Sequence, residues 1–156
     1  MHLEQSILIH RKPEEVWAFL GSVSNIAKWD RGVEQTKTTV EAKDTPVGLE
    51  FDTFAEAGHS ERGKMSYRIA EAGENTCRVD LTSATGNARF FKQASWTFKT
   101  RSDSQGTILV CSVDFVTRPV YFFLAPLLYA KRSAIAVDLE GLKQAIEHPE
   151  TRVEKQ

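Results

Sequence analysis

The chain opens on alternating apolar and polar positions and then changes period. From Leu3 to His10, residues Leu3, Ile7 and Ile9 share one face, which predicts a first strand. Lys12-Pro13-Glu14-Glu15-Val16-Trp17 then sets a proline at the first helical position and two carboxylates in the first turn, where the helix dipole favours them. A short helix is expected from Pro13 to about Leu20, burying Val16, Trp17 and Leu20 and ending at Gly21. Ser24 or Asn25 would cap a second short helix through Ile26 to Trp29. The pair has the outline of a helix-turn-helix without a basic recognition face, so it does not point to DNA.

From Val33 to Thr117 the helical period is gone and short alternating runs follow one another, the pattern of an antiparallel meander of six strands. Glu34 to Val40 and Val47 to Ala55 are divided by Lys43-Asp44-Thr45-Pro46. Gly58-His59 precedes Arg62 to Ala70, in which Met65, Tyr67 and Ile69 share a face. Ala72-Gly73-Glu74-Asn75 turns into a strand marked by Cys77, Val79 and Leu81, and Gly86-Asn87 turns into Phe90 to Lys99, where Ala94, Trp96 and Phe98 point one way. After a polar turn at Ser102 to Gly106, the run Ile108 to Val116 is apolar on both parities, as expected of a strand covered on two sides.

The rest reads as helix from about Pro119 to Ile146, with Leu124, Leu128, Ile135, Leu139, Leu142 and Ile146 recurring on one stripe that faces the sheet. Lys131, Arg132, Glu140, Lys143 and Gln144 fill the solvent side. Pro126 should kink the first part or split off a leading turn. The run Val120 to Tyr129 is apolar around the whole circumference. Its expected state is burial under the sheet and the short helices; the functional alternatives are a cavity mouth, a dimer surface or a patch that touches membrane. The domain is expected to span 1–148, with a tail at 149–156.

Composition narrows the function classes. In 156 residues the apolar share is 41%, Lys+Arg number 20 against Asp+Glu 21, and the net charge is -1, which fits one water-soluble domain. Charges are spread along the chain, so nucleic acid is not an expected partner. Met1 to Gln5 carries no Lys or Arg and the following apolar stretch is short, so no signal peptide is expected and the cytoplasm is the expected compartment. Cys77 and Cys111 fall on the fifth and seventh strands, roughly 9 to 10 Å apart across the intervening one. That exceeds the roughly 7 Å limit for a disulfide, so both should be free thiols.

A strand, two short helices, six meandering strands and a long amphipathic helix bury their apolar faces best if the sheet curls around the helix. Such a fit closes imperfectly and leaves apolar space with a few polar groups. The run Ile9-His10-Arg11-Lys12-Pro13-Glu14-Glu15-Val16-Trp17, then Ile26-Ala27-Lys28-Trp29, and finally Leu139-Glu140-Gly141-Leu142-Lys143 resembles the polyketide cyclase/dehydrase and lipid transport branch of the START-like (SRPBCC) superfamily. The resemblance covers roughly Leu3 to Glu147. It implies an α+β helix-grip fold, a seven-stranded curved antiparallel sheet around a long C-terminal helix with two short helices between the first two strands, and a ligand cavity. Members related to the major birch pollen allergen bind lipids and other apolar ligands, and others are aromatic polyketide cyclases. The branch has no universal catalytic residue to carry over.

The expected ligand-binding residues are Met65, Tyr67, Ile69, Leu81, Trp96, Phe98, Leu128 and Ile135. Tyr67 and Trp96 share parity with apolar neighbours and should face inward, whereas Arg68 and Asp114 fall on the opposite parity, where surface ion pairing is expected. Tyr67 and Asp114 are the catalytic candidates; an inward, unpartnered Asp114 would have its pKa raised by desolvation. Trp17 and Trp29 read as packing anchors. The histidines are dispersed, no metal site or cofactor is expected, and no nucleophile elbow is present. Three functions follow: binding or transport of a small hydrophobic molecule such as a lipid or polyketide, a cyclase, aromatase or dehydratase, and a dimerising interaction module. Lys131 and Arg132 would suit anionic head groups in a transient membrane contact.

Overall fold

The N-terminal alternation forms β1 (His2–Ile9), which buries Leu3 and Ile9. It lies antiparallel to β7 (Gly106–Thr117), from His2 opposite Asp114 to Ile9 opposite Thr107. Between them in the chain come β2 (Gln35–Thr38), β3 (Glu50–Phe54), β4 (Met65–Ala72), β5 (Thr76–Ala84) and β6 (Phe91–Asp103). All neighbours are antiparallel in the order β1-β7-β6-β5-β4-β3-β2, so the meander closes by laying its first strand against its last. This computed structural model describes residues 1–38, 47–130 and 132–149. The turn expected at Lys43 to Pro46, the end of the strand expected to reach Val40, Lys131 and the tail from Glu150 lie outside the described residues.

Two strand expectations are corrected. β6 continues beyond Lys99 to Asp103, and the hairpin closes through Ser104 and Gln105 with Asp103 opposite Gly106. Gly106 has a φ of +145°, and a Cβ there would run into the carbonyl oxygen of Ile9. Glycine therefore lets the end of β1 approach the hairpin backbone. β7 is not covered on both sides: Thr107, Leu109, Cys111, Val113 and Phe115 are buried, while Asp114 and Val116 on the outer face are exposed. Ser112 is the outward residue that is buried, with its hydroxyl donating to Glu4 at 2.9 Å. Cys77 on β5 and Cys111 on β7 are free thiols separated by β6, as their spacing required.

Two short helices follow β1: α1 (Pro13–Leu20) and, after a 3-10 turn at Val23–Asn25, α2 (Ile26–Trp29). The Glu15 carboxylate accepts the Lys12 backbone N–H at 3.0 Å and closes the first turn of α1. Asn25 does not cap α2 with its side chain. Its amide donates instead to the Phe19 carbonyl at 2.9 Å, tying α2 to the end of α1. Trp17 is anchored by its indole N–H, which donates to the Thr100 hydroxyl at 2.8 Å.

The described helix of the C-terminal stretch begins at Ala125 rather than at Pro119, and Lys131, between its two described parts, lies outside the described residues. A 3-10 turn at Pro119–Leu124 breaks at Tyr121, α3 (Ala125–Ala130) takes Pro126 near its start where a missing N–H is tolerated, and α4 (Arg132–Glu147) follows. The leading turn thus splits off. The expected burial of the apolar run is overturned: Val120, Phe122, Phe123, Leu127 and Tyr129 are all exposed. α4 fills the sheet's concavity and Leu128 still packs against the core, while the other faces of the run before α4 project outward.

α4 grips the sheet unevenly. Its C-terminal half buries Leu139, Leu142, Ala145 and Ile146, in a core shared with Leu3, Ile9, Val16, Leu109, Cys111 and Val113. Burying each large side chain stabilises the fold by about 2 kcal/mol. That end is also pinned by polar contacts. The Glu147 carboxylate accepts the His10 backbone N–H at 2.7 Å, and the Glu147 carbonyl accepts the Arg11 guanidinium at 2.7 Å, where the helix dipole favours a cation. In the first turns of α4, Ser133, Ala134, Ala136 and Val137 are exposed and Ile135 is half-buried.

At Gly141 a Cβ would stand 3.0 Å from the Trp29 carbonyl oxygen, so the missing side chain lets α2 lie directly on α4. Helix propensity alone predicts that Gly141→Ala would stabilise the protein by about 1 kcal/mol. The contact with a backbone oxygen predicts the opposite sign, a lower melting temperature, because that atom moves only if α2 moves. A higher melting temperature in thermal denaturation would contradict this packing.

Candidate functional site

The standing-off half of α4 leaves a cavity of about 360 Å³ between Ala134, Ile135 and Asp138 on one side and the concave face of β3 to β7 on the other. Gly32 and Ala134 on its edge are exposed, so it opens between the segment after α2 and the start of α4. Its sheet wall is a chain of aromatic rings. Phe51 stacks on Tyr67 at 5.2 Å, Tyr67 meets Trp96 edge-on at 5.4 Å, and Trp96 meets Phe91 at 6.2 Å, which in turn meets Phe115 at 5.6 Å. Antiparallel register explains the series. Phe51 lies opposite Tyr67 and Ala94 opposite Phe115, so rings from four strands share the concave face. Trp29 adds a further ring against Phe98 at 6.4 Å, so this tryptophan is both an anchor of α2 and part of the wall.

Four polar side chains interrupt the apolar lining: Thr53, Tyr67, Asp30 and Asp138. The Tyr67 hydroxyl donates to Met65 Sδ at 3.3 Å. Burial pushes its pKa above the ordinary tyrosine range, a hydrogen bond with Thr53 works against that shift, and the Asp30 charge adds to it. Asp138 is raised from 3.8 to about 6, first by burial and then by the charge of Asp30, while the backbone N–H and charge of Arg31 oppose the rise. Asp30 accepts the Gly32 backbone N–H at 2.8 Å. The cavity thus has an aromatic wall on the sheet side and two coupled carboxylates on the helix side. Cys111, deep in the core beside this site, has its thiol pushed up to about 12 by burial and by Asp138, and is unreactive as a nucleophile. Among the described residues no grouping of His, Cys, Asp and Glu could hold a metal ion.

Of the residues singled out in the sequence, Met65, Tyr67, Trp96, Phe98 and Ile135 stand on the cavity wall. Ile69 is buried beyond it, in a small adjoining void of about 70 Å³ with Trp17, Leu20 and Cys77. Leu81 and Leu128 pack against the main core instead, and Leu81 also borders an outer pocket of about 600 Å³ with Asp80 and Ser95. Asp114 faces outward, its carboxylate 2.7 Å from His2 Nδ1, and Arg68 stands 3.6 Å from Glu50 on the surface. Asp114 thus takes the outward, surface position that its parity predicts, and the inward position on which a catalytic role depended is not the one it occupies. Asp30 and Asp138 were not singled out. Asp138 had a signal, because it lies three residues after Ile135 and four before Leu142, on the apolar stripe itself. Asp30 had none beyond following the short apolar helix.

No helix among the described residues is long and apolar enough to cross a membrane. The chain's fold is that of several solved structures. It superposes on the Zhui aromatase/cyclase from a Streptomyces species with a TM-score of 0.74 at 14% identity, covering 100% of this chain and 99% of that one. A protein from Thermus thermophilus gives 0.72 at 16% identity, covering 97% and 100%. Norcoclaurine synthase from Thalictrum flavum gives 0.67 at 10% identity, covering 95% and 87%. At these identities the likeness is one of fold. No curated protein sequence matches the chain. Residues 1–147 match the family described as polyketide cyclase/dehydrase and lipid transport, so the helix-grip chain with its aromatic-walled cavity belongs to that family.

Proposed function

We propose that the protein binds or carries a small, mainly hydrophobic molecule in the cavity under the first turns of α4. The observation that carries this reading is the aromatic wall enclosing about 360 Å³, within the range of small-molecule sites and near its lower end. A ring system or short branched chain suits that volume. The four polar side chains sit where one end of such a guest would need orienting groups. The family's described activities, which include lipid transport, agree with this reading.

A second reading is favoured by one observation. A carboxyl titrating near pH 6 beside a second carboxylate and a buried phenol is the arrangement that general acid–base chemistry requires. An enzyme of the cyclase or dehydratase type would use Asp138 to exchange a proton with the guest, Asp30 to keep that proton on at mild acidity, and Tyr67 to donate a hydrogen bond to a carbonyl. On a polyketone substrate, its rate would show an inflection near pH 6 that Asp138→Asn removes. A flat profile, or full turnover in Asp138→Asn, would refute the enzyme reading.

Binding is tested by filling the space. Ile135→Trp, placed where the wall has room, should weaken the affinity for 2-naphthol in titration calorimetry by about tenfold or more while leaving the fold intact. Unchanged affinity would show that the guest sits elsewhere. Electrostatics gives a separate check. Between the ordinary 3.8 and about 6, folded Asp138 holds a proton that the unfolded chain has released, so its contribution to stability falls as pH rises through that window. Asp138→Asn should then be more stable than the parent at neutral pH by about 1 kcal/mol, after discounting for the solvent that reaches this half-buried group. The gain should vanish below the ordinary carboxyl range. A variant no more stable at neutral pH, in urea denaturation across the window, would contradict the assignment.

A further inference from the structure

The chain between β7 and α4 displays apolar side chains that the fold does not use. Phe122 is 74% exposed, Phe123 62%, Val120 68% and Leu127 58%, and the two phenylalanine rings meet edge-on at 6.2 Å. Isolated apolar residues on a surface need no explanation, but a contiguous group of this size on a 3-10 turn and the helix after it marks a contact surface.

The charges around it decide what kind of surface it touches. Residues 115–137 contain Arg118, Lys131 and Arg132 and no acidic residue, and residues 84–93 contain Arg89 and Lys92 and again none. The two segments meet: Phe91 lies opposite Thr117, and the Arg118 backbone N–H donates to the Phe90 carbonyl at 2.8 Å. Arg89, Lys92 and Arg118 are all exposed, and none has an ion-pair partner among the described residues. A second copy fits this surface less well, because a two-fold contact would set the cations of one rim against those of the other. An anionic lipid surface satisfies both features, since it accepts the aromatic side chains into its interfacial layer and the cations at its head groups.

We propose that the exposed aromatic segment Val120–Tyr129, with its basic rim, docks the protein on an anionic membrane surface. The docking does not depend on what the cavity holds. Phe91 nonetheless links the two, because it lines the cavity and packs on Phe90 at 4.1 Å beside the rim. Docking would bring the cavity's edge close to the lipid.

The test is cosedimentation of the full chain with vesicles of phosphatidylcholine, alone or mixed with phosphatidylserine. The expected result is binding to the mixed vesicles, weakened by salt and much weaker on the neutral ones. The double variant Phe122→Ser with Phe123→Ser should lower that binding by about tenfold or more, and Lys92→Glu with Arg118→Glu by a similar factor. These side chains are exposed, so unchanged melting temperatures should accompany both losses. Failure of the parent protein to bind the mixed vesicles, or equal binding by the phenylalanine variant, would overturn the proposal. So would light scattering that shows a dimer dispersed by Phe122→Ser and unaffected by vesicles. Because 2-naphthol binding is measured without lipid, loss of docking and loss of the cavity guest are separate outcomes.

Discussion

The structure depends on one asymmetric contact, the packing of α4 against the concave sheet. At its C-terminal end the helix is held by Leu139, Leu142 and Ile146 in the core and by the Glu147 contacts with His10 and Arg11. Toward its N-terminus the buried stripe thins to Ile135, with Asp138 between. A helix fixed at one end and standing off at the other makes a wedge. On the open side, rings from β3, β4, β6 and β7 line the concave face, and the space between them and Ile135 is the cavity. The cavity is therefore a product of where the core is strong.

The same geometry accounts for the site's electrostatics. Asp138 belongs to the buried stripe by position yet reaches solvent through the open side of the wedge, so it is desolvated enough to shift and not enough to be excluded. Asp30 reaches it because Gly141 lets α2 lie on α4, which brings the residue following Trp29 to the cavity's edge.

Much of this was legible in the sequence. Alternation gave the strands and their order of appearance, and Met65-Tyr67-Ile69 and Ala94-Trp96-Phe98 gave the inward parity, because a half-buried antiparallel strand exposes its period directly. Parity could not show how far along the concavity each residue lies. Ile69 sits past the cavity and Leu81 and Leu128 in the core, since depth depends on where α4 stands off and not on local pattern. Asp138 was hidden by the habit of counting only apolar members of a stripe. The aromatic run failed in the opposite direction. Apolar residues on every side of a helix imply burial only if the helix is continuous with a buried one, and the break around Tyr121 and Pro126 removed that condition.

The open wedge can be tested within one helix by mapping methyl and indole NMR shifts as 2-naphthol is added. The account predicts that Ile135 and the Trp96 indole shift strongly while Leu142 and Ile146, further along the same helix in the closed end, stay in place. Equal shifts at both ends of α4, or none at Ile135, would contradict it.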